Sequence, residues 1–236
     1  MGEVVIGIIG GMGPEATLYA FEKIISATPA KKDQEHLRVV IDSNPKIPDR
    51  TEAFLSGDSE AIVAALSQTA RNLERAGASL LIIPCNSAHI YFKRLTRHFR
   101  LPFLHIVDEV GKEAARHGFK SLGLLASKGV IQSRLYQQRL QNFGFIIPTK
   151  ADCDLVHQAI YKIKAGEKDE AFSMLLPVAK SLGNSGAEAI ILGCTEIPLV
   201  LKEEKIGLPL LDSVSILARA AVKIALSRTQ EGRGLK

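Results

Sequence analysis

The stretch "LLIIPCNSAH" (residues 80–89) carries four apolar residues into a proline, a cysteine and an asparagine. "AIILGCTEIP" (residues 189–198) repeats the arrangement around a second cysteine. A short unbroken apolar run has no polar face to give to water, so each reads as a strand buried on both sides, the kind that fills a parallel sheet covered by helices. Working outward, similar runs recur at 4–9, 37–42, 79–84, 102–106, 121–126, 145–148, 188–192 and 208–212. Between them, residues 14–28, 59–77 and 169–186 repeat their apolar positions at intervals of three and four, as helices do. Strands alternating with helices predict an α/β fold of doubly wound parallel sheets.

The two cysteine stretches also anchor an internal repeat. After Cys85 comes a helical segment and then "LPFLHIVDEVGKEAARHG"; after Cys194 comes a helical segment and then "LPLLDSVSILARAAVKIA". Each half opens on a glycine-bearing strand, "IGIIGGMG" and "LGLLASKG". The shared order predicts two related α/β domains, residues 1–100 and 101–207, with the last strand and helix, 208–236, returning to complete the first. A chain of 236 residues is long enough for either one large core or two.

Composition narrows the function classes. A makeup of 46% hydrophobic and 23% charged residues is that of an ordinary globular protein, and the net charge of +5 is spread among acids rather than clustered. The densest basic segment, "FKRLTRHFR" (92–100), carries Leu95 and Phe99 at helical spacing and reads as the solvated face of an amphipathic helix, not a nucleic-acid patch. A modest basic excess does suit small anionic metabolites. No segment has the length and apolarity of a signal peptide or membrane span, and three widely spaced cysteines make no disulfide framework, so a reducing cytoplasm is expected.

Ligands of open parallel sheets sit at the carboxyl ends of the strands. Cys85 and Cys194 both fall there, each expected to begin a helix whose free N–H groups favour a thiolate. A single buried cysteine is usually inert packing, which is the reading for Cys153; two at matching positions of a repeat are not easily explained that way. The run Gly11-x-Gly13-x-x-Ala16 loosely matches a dinucleotide turn, but the acid expected about 20 residues on is poorly supplied by Asp33 or Asp42. A glycine turn that lets backbone approach a small carboxylate fits better. Arg50 in "SNPKIPDRT" is either a surface charge or a ligand-rim cation, and Lys164 in "IYKIKAG" has the same two readings. His89 lies four residues after Cys85, yet no set of partners with zinc-ligand spacing completes a metal site.

Taken in order, "IGIIGGMGPEAT", "IPDRT", "PCNSAH", "IKAG" and "GCTEIP" resemble the aspartate/glutamate racemase family, and within it the aspartate-using branch, over nearly the whole chain. The resemblance implies two pseudo-symmetric domains with the active site in the cleft between them, a homodimer, and racemisation of an amino-acid substrate without cofactor or metal. It assigns the catalytic pair to Cys85 and Cys194 and substrate contacts to Met12, Asn86, Ser87, Thr195 and Glu196. It gives the side-chain carboxylate to Arg50 from the first half and Lys164 from the second. Where the family has threonine this chain has Ser87, which keeps the hydroxyl. Rival readings are a glutamate or broad-specificity racemase, a diacid isomerase or decarboxylase on the same fold, and a nucleotide-binding regulator built on residues 7–17.

Overall fold

The computed structural model describes residues 3–233, with side chains as far as Arg228. In chain order the elements are β1 (Ile6–Gly10), α1 (Pro14–Ala27), β2 (Val39–Ser43), α2 (Arg50–Ser56), α3 (Glu60–Arg75), β3 (Leu80–Ile82), α4 (Phe92–Thr96), α5 (Ile106–Arg116), β4 (Ser121–Ala126), α6 (Lys128–Gln132), α7 (Leu135–Arg139), β5 (Gly144–Ile146), α8 (Lys150–Lys164), α9 (Lys168–Asn184), β6 (Ala189–Gly193), β7 (Leu210–Asp212) and α10 (Ser213–Arg233). They group into two units. The first runs to Asp49, resumes over Asp58–Ile106 and takes up again from Val214; the second comprises Arg50–Gly57 and Val107–Ser213.

The first unit holds a parallel sheet of order β2-β1-β3. β1 is buried along its whole length, as a central strand covered on both faces must be, whereas β2 at the edge is only partly covered. α3 lays Ile62, Leu66, Ala70 and Leu73 in one buried row, the spacing of a single helix face. Beyond β1 the chain turns on two glycines. A Cβ on Gly10 would stand 2.4 Å from the Thr17 side chain, and Gly11, at φ +90°, would press one to 2.3 Å from the Asn44 backbone. Pro14 then opens α1, where a missing N–H costs no helix bond.

The second unit holds a parallel sheet of order β5-β4-β6-β7. α8 and α9 cover it, their Val156, Ile160, Ile163, Leu175, Val178 and Leu182 packing with Leu125, Ile190 and Leu192 in one apolar cluster. α9 continues through Pro177 although the ring removes one helix hydrogen bond, because the apolar face on either side of it is buried and tertiary packing outweighs propensity.

The sheets share one connectivity: a central first strand, the second on one side and the third on the other. The repeat is therefore a repeat of fold. Four expectations need correction. Residues 102–106 make no strand; Phe103 forms a single parallel bridge with Leu81, after which Ile106 starts α5. The strand within 208–212 stays in the second sheet beside β6, so only the helix after it counts with the first unit. Residues 50–57, expected in the first domain, count with the second. The helix expected over 92–100 ends at Thr96, with Leu95 buried and Phe99 edge-on to Phe103.

Candidate active site

In the first unit Cys85 lies three residues past the end of β3, at the carboxyl end of the sheet, and is 4% exposed. The turn that follows is stitched locally. Cys85 N–H donates to the Ile83 carbonyl at 2.8 Å, and the Cys85 Sγ and Ser87 Oγ are 3.5 Å apart. His89, also buried, anchors the turn: its Nδ1 is 2.9 Å from the Cys85 carbonyl, and its Nε2 accepts the Ile106 N–H at 3.2 Å. A ring nitrogen that accepts carries no proton, so His89 is the neutral tautomer with its proton on Nδ1, donated to Cys85. Phe92 stacks on its face and His105 meets it edge-on. Asn86, next in the chain, is buried, and Met12 is buried in the loop after β1. The N–H of Gly11 is already taken by Thr17 Oγ1 at 2.8 Å, which leaves that donor of the glycine turn engaged inside the protein.

In the second unit Cys194 follows β6 directly, at the equivalent sheet edge. Its thiol donates to Glu196 Oε2 at 2.9 Å, and the Thr195 hydroxyl donates to the same oxygen at 3.2 Å. The other carboxylate oxygen lies 4.0 Å from Lys164 Nζ, which extends over the Tyr161 ring. Although part of Cys194 remains accessible, burial pushes its thiol pKa well above 9.0; the Glu196 carboxylate adds to the rise and Lys164 opposes it. Beneath it Tyr136 is fully buried, its pKa raised chiefly by burial, and bonded to Ser213, whose hydroxyl donates to the Leu192 carbonyl at 2.8 Å.

Of the residues expected from sequence, Met12, Cys85, Asn86 and Ser87 belong to the first unit, and Lys164, Cys194, Thr195 and Glu196 to the second. Arg50 corrects its expectation. It opens α2 within the second unit, so it shares a unit with Lys164 rather than facing it from the other half. It is 8% exposed, and the neighbouring Thr51 donates to Ser127 Oγ at 3.4 Å, tying α2 to the start of α6. The expected helix N-termini are also corrected. The turns after the two cysteines are 3-10 turns of five and three residues, too short to sum a helix dipole, and Cys194 is shifted toward thiol rather than thiolate.

Sequence reasoning missed three participants. His89 was visible only as a possible ligand, whereas it acts as a brace. Glu196 was expected as a substrate contact, but not its hydrogen bond with the Cys194 thiol. Tyr136 had no signal at all, since nothing local separates a buried tyrosine from a surface one. Cys153 sits on α8 with its Sγ 3.4 Å from the Pro148 carbonyl, and its pKa is raised by burial, then by Asp154, as befits packing. Among the described residues no group of three or more His, Cys, Asp or Glu is placed to hold a metal, and no helix is long and apolar enough to cross a membrane.

Comparison with known proteins bears on the family and the fold. A family model described as Asp/Glu/hydantoin racemase matches residues 9–221. The chain is 29% identical over 229 residues to the broad specificity amino-acid racemase RacX of Bacillus subtilis, covering 94% of this chain and 98% of that one. Among solved structures, Picrophilus torridus aspartate racemase superposes with a TM-score of 0.86 at 34% identity, over 94% of each chain. An aspartate racemase homologue from Pyrococcus horikoshii gives 0.77 at 27% identity, over 93% of this chain and 98% of that one.

Proposed function

The chain belongs to the Asp/Glu/hydantoin racemase family, and from that premise we propose that it interconverts L- and D-aspartate by two-base exchange of the α-proton, without a cofactor. Racemisation takes a proton from one face of the α-carbon and returns one to the other, so one group must be a base when its opposite is an acid. Cys85 and Cys194 fill these roles. The observation that carries the reading is the state of Cys194: a thiol with raised pKa, its hydrogen directed at Glu196, is an acid loaded before substrate arrives. Cys85 is then the base for the enantiomer whose hydrogen it meets, and the reverse reaction exchanges the roles.

The difficulty lies in the carbon acid, since removing its proton turns the α-carboxylate toward a dianion. Donors fixed in advance are most effective there, and Asn86, Ser87 and Thr195 supply them, with the turn at Met12 closing on the α-substituents. The side-chain carboxylate goes to Arg50, whose planar fork suits it, with Lys164 adding charge. A carboxylate held at fixed distance favours aspartate, because one more methylene displaces the α-carbon, and about 1 Å of misplacement costs about a hundredfold in rate.

A second reading, racemisation of several amino acids, draws support from the relative RacX, whose name states broad specificity. One experiment addresses both. Each enantiomer of aspartate and glutamate is incubated in D2O and followed by chiral analysis and mass. The expected result is deuterium gain with inversion of aspartate, its kcat/KM well above that of glutamate, and a fall of about a hundredfold or more in Cys85→Ser and in Cys194→Ser. Near-normal turnover in either serine variant would sink the two-base scheme, and equal use of both amino acids would favour the broader reading.

A further inference from the structure

α7 is a helix of five residues, and Tyr136 is the one it buries completely. Two features aim it inward. Arg134, just before α7, sits at φ +54°, where no other non-glycine residue is found among the described residues, and this left-handed turn redirects the chain after α6. At the far end of α7 Arg139 pairs with Asp108 of α5, one N–H group lying 2.7 Å from the carboxylate. A backbone conformation that L-residues rarely adopt persists where its surroundings dictate it, and what it delivers here is a phenol cut off from water. Phenylalanine would fill the same space without a polar group to satisfy, so the hydroxyl calls for an explanation.

The hydroxyl begins a directed chain. Ser213 is fully buried, and its one proton goes to the Leu192 carbonyl at 2.8 Å, so it offers Tyr136 only lone pairs and the phenol is the donor. The carbonyl that ends this chain occupies a particular place. β6 and β7 run parallel with Leu192 beside Asp212, and the Ile190 N–H donates to Pro209, so the even-numbered residues of β6 turn their peptide groups toward β7. β7 ends at Asp212, and the next rung falls to Ser213, which has already entered α10. The serine side chain takes the Leu192 carbonyl where the ladder stops. On the other side Gly193 pairs with Ala126 of β4, and a Cβ there would stand 2.9 Å from the Leu124 side chain. Leu192 and Gly193 lead directly into Cys194.

We propose that Tyr136 is a positioning residue for Cys194: through Ser213 it fixes the Leu192 carbonyl, and so the strand end from which the thiol reaches Glu196. The two groups are close enough to interact through charge, since a negative sulfur raises the phenol further. Tyr136 does for the second cysteine what His89 does for the first, by a different route. His89 holds the carbonyl of the cysteine itself, whereas Tyr136 acts on the carbonyl two residues upstream. A thiol that gives a proton in one direction of reaction and takes one in the other tolerates little movement relative to the α-carbon, because misplacement near 1 Å costs about a hundredfold in rate. The inference rests on the catalytic reading of Cys194, but the setting of the thiol can be measured without turnover.

The test compares Tyr136→Phe, Ser213→Ala and the double variant with wild type, each checked for folding by circular dichroism and thermal melting. Two readouts are taken: turnover of aspartate, and iodoacetamide labelling of each cysteine against pH, followed by peptide mass. Tyr136→Phe, which keeps the ring, is expected to lower kcat by about tenfold with KM little changed. Cys194 should label at a pH about 1 lower, because a loosened strand end lets water reach a thiol that burial keeps protonated, while Cys85 labels as in wild type. Ser213→Ala should do the same, and the double variant no more than either single, as members of one chain. Cys194 labelling unchanged in Tyr136→Phe would reduce the tyrosine to packing and overturn the proposal. Additive losses in the double variant would overturn it by separating the two hydroxyls, and Cys85 labelling shifted alongside Cys194 would do so by showing a general loosening. A wild type that racemises no amino acid would defeat the catalytic reading, and the labelling would still decide whether Tyr136 fixes the thiol.

Discussion

At the residue scale the two cysteines are not equivalent, although their motifs rhyme. Cys194 donates to a carboxylate and is shifted toward thiol, while Cys85 has a hydroxyl within reach and a carbonyl fixed by His89. The shift at Cys194 has a consequence for stability. A thiol that holds its proton more tightly folded than unfolded adds stability only while protonated, so the contribution is intact below 9.0 and is lost as pH climbs toward the raised folded value. Denaturant titrations should therefore show stability falling above about pH 9, and falling less steeply in Cys194→Ala. Cys153 and Tyr136 are raised too, so the difference between the two proteins, rather than either slope alone, isolates Cys194. Identical slopes would mean that the thiol is as well solvated folded as unfolded. The cysteines themselves were legible in the sequence because each ends an apolar run. Their inequality was not, because it depends on Glu196 turning back toward the sulfur and on Lys164 arriving from another helix.

At the scale of elements, the turn between β3 and α4 shows how the position proposed for one catalytic thiol is held without a helix dipole. One imidazole bridges two backbone groups: it donates to the Cys85 carbonyl and accepts the first amide of α5, at Ile106. His89→Asn retains a donor near the Nδ1 position, whereas His89→Leu leaves the carbonyl and the Ile106 amide without side-chain partners. We expect His89→Leu to lower kcat by about tenfold or more with KM little changed and the protein folded, and His89→Asn to recover most of the loss. An unchanged kcat in the leucine variant would reduce the histidine to packing. Strands were the most legible elements, since unbroken apolar runs admit few other readings. The exception, residues 102–106, fails for a physical reason: Pro102 and Phe103 make one bridge to Leu81, and the chain turns into α5 before a ladder can extend. Arg50 was misplaced for a similar reason, because a short helix after a polar loop can join either neighbour and only tertiary contacts decide which.

At the scale of the whole molecule the repeat was readable from order and spacing, but the threading was not. Residues 50–57 leave the first unit and α10 rejoins it, through Val214, Leu217, Ala218, Ala221 and Val222, all buried. A chain stopped after Asp212 should lose hydrogen-exchange protection in β1, β2 and β3 well before β4, β5 and β6; equal loss in both sheets would show that α10 supports them alike. The same threading orders events on the ribosome. The second sheet has all of its strands once Asp212 has emerged, while the unit that was begun first still awaits its closing helix. Until Val214–Arg233 clear the ribosome and dock, the first unit lacks its last helix. For that interval the nascent protein carries a finished half and an open apolar sheet, so its exposure to chaperones and to misassociation falls on the half translated first.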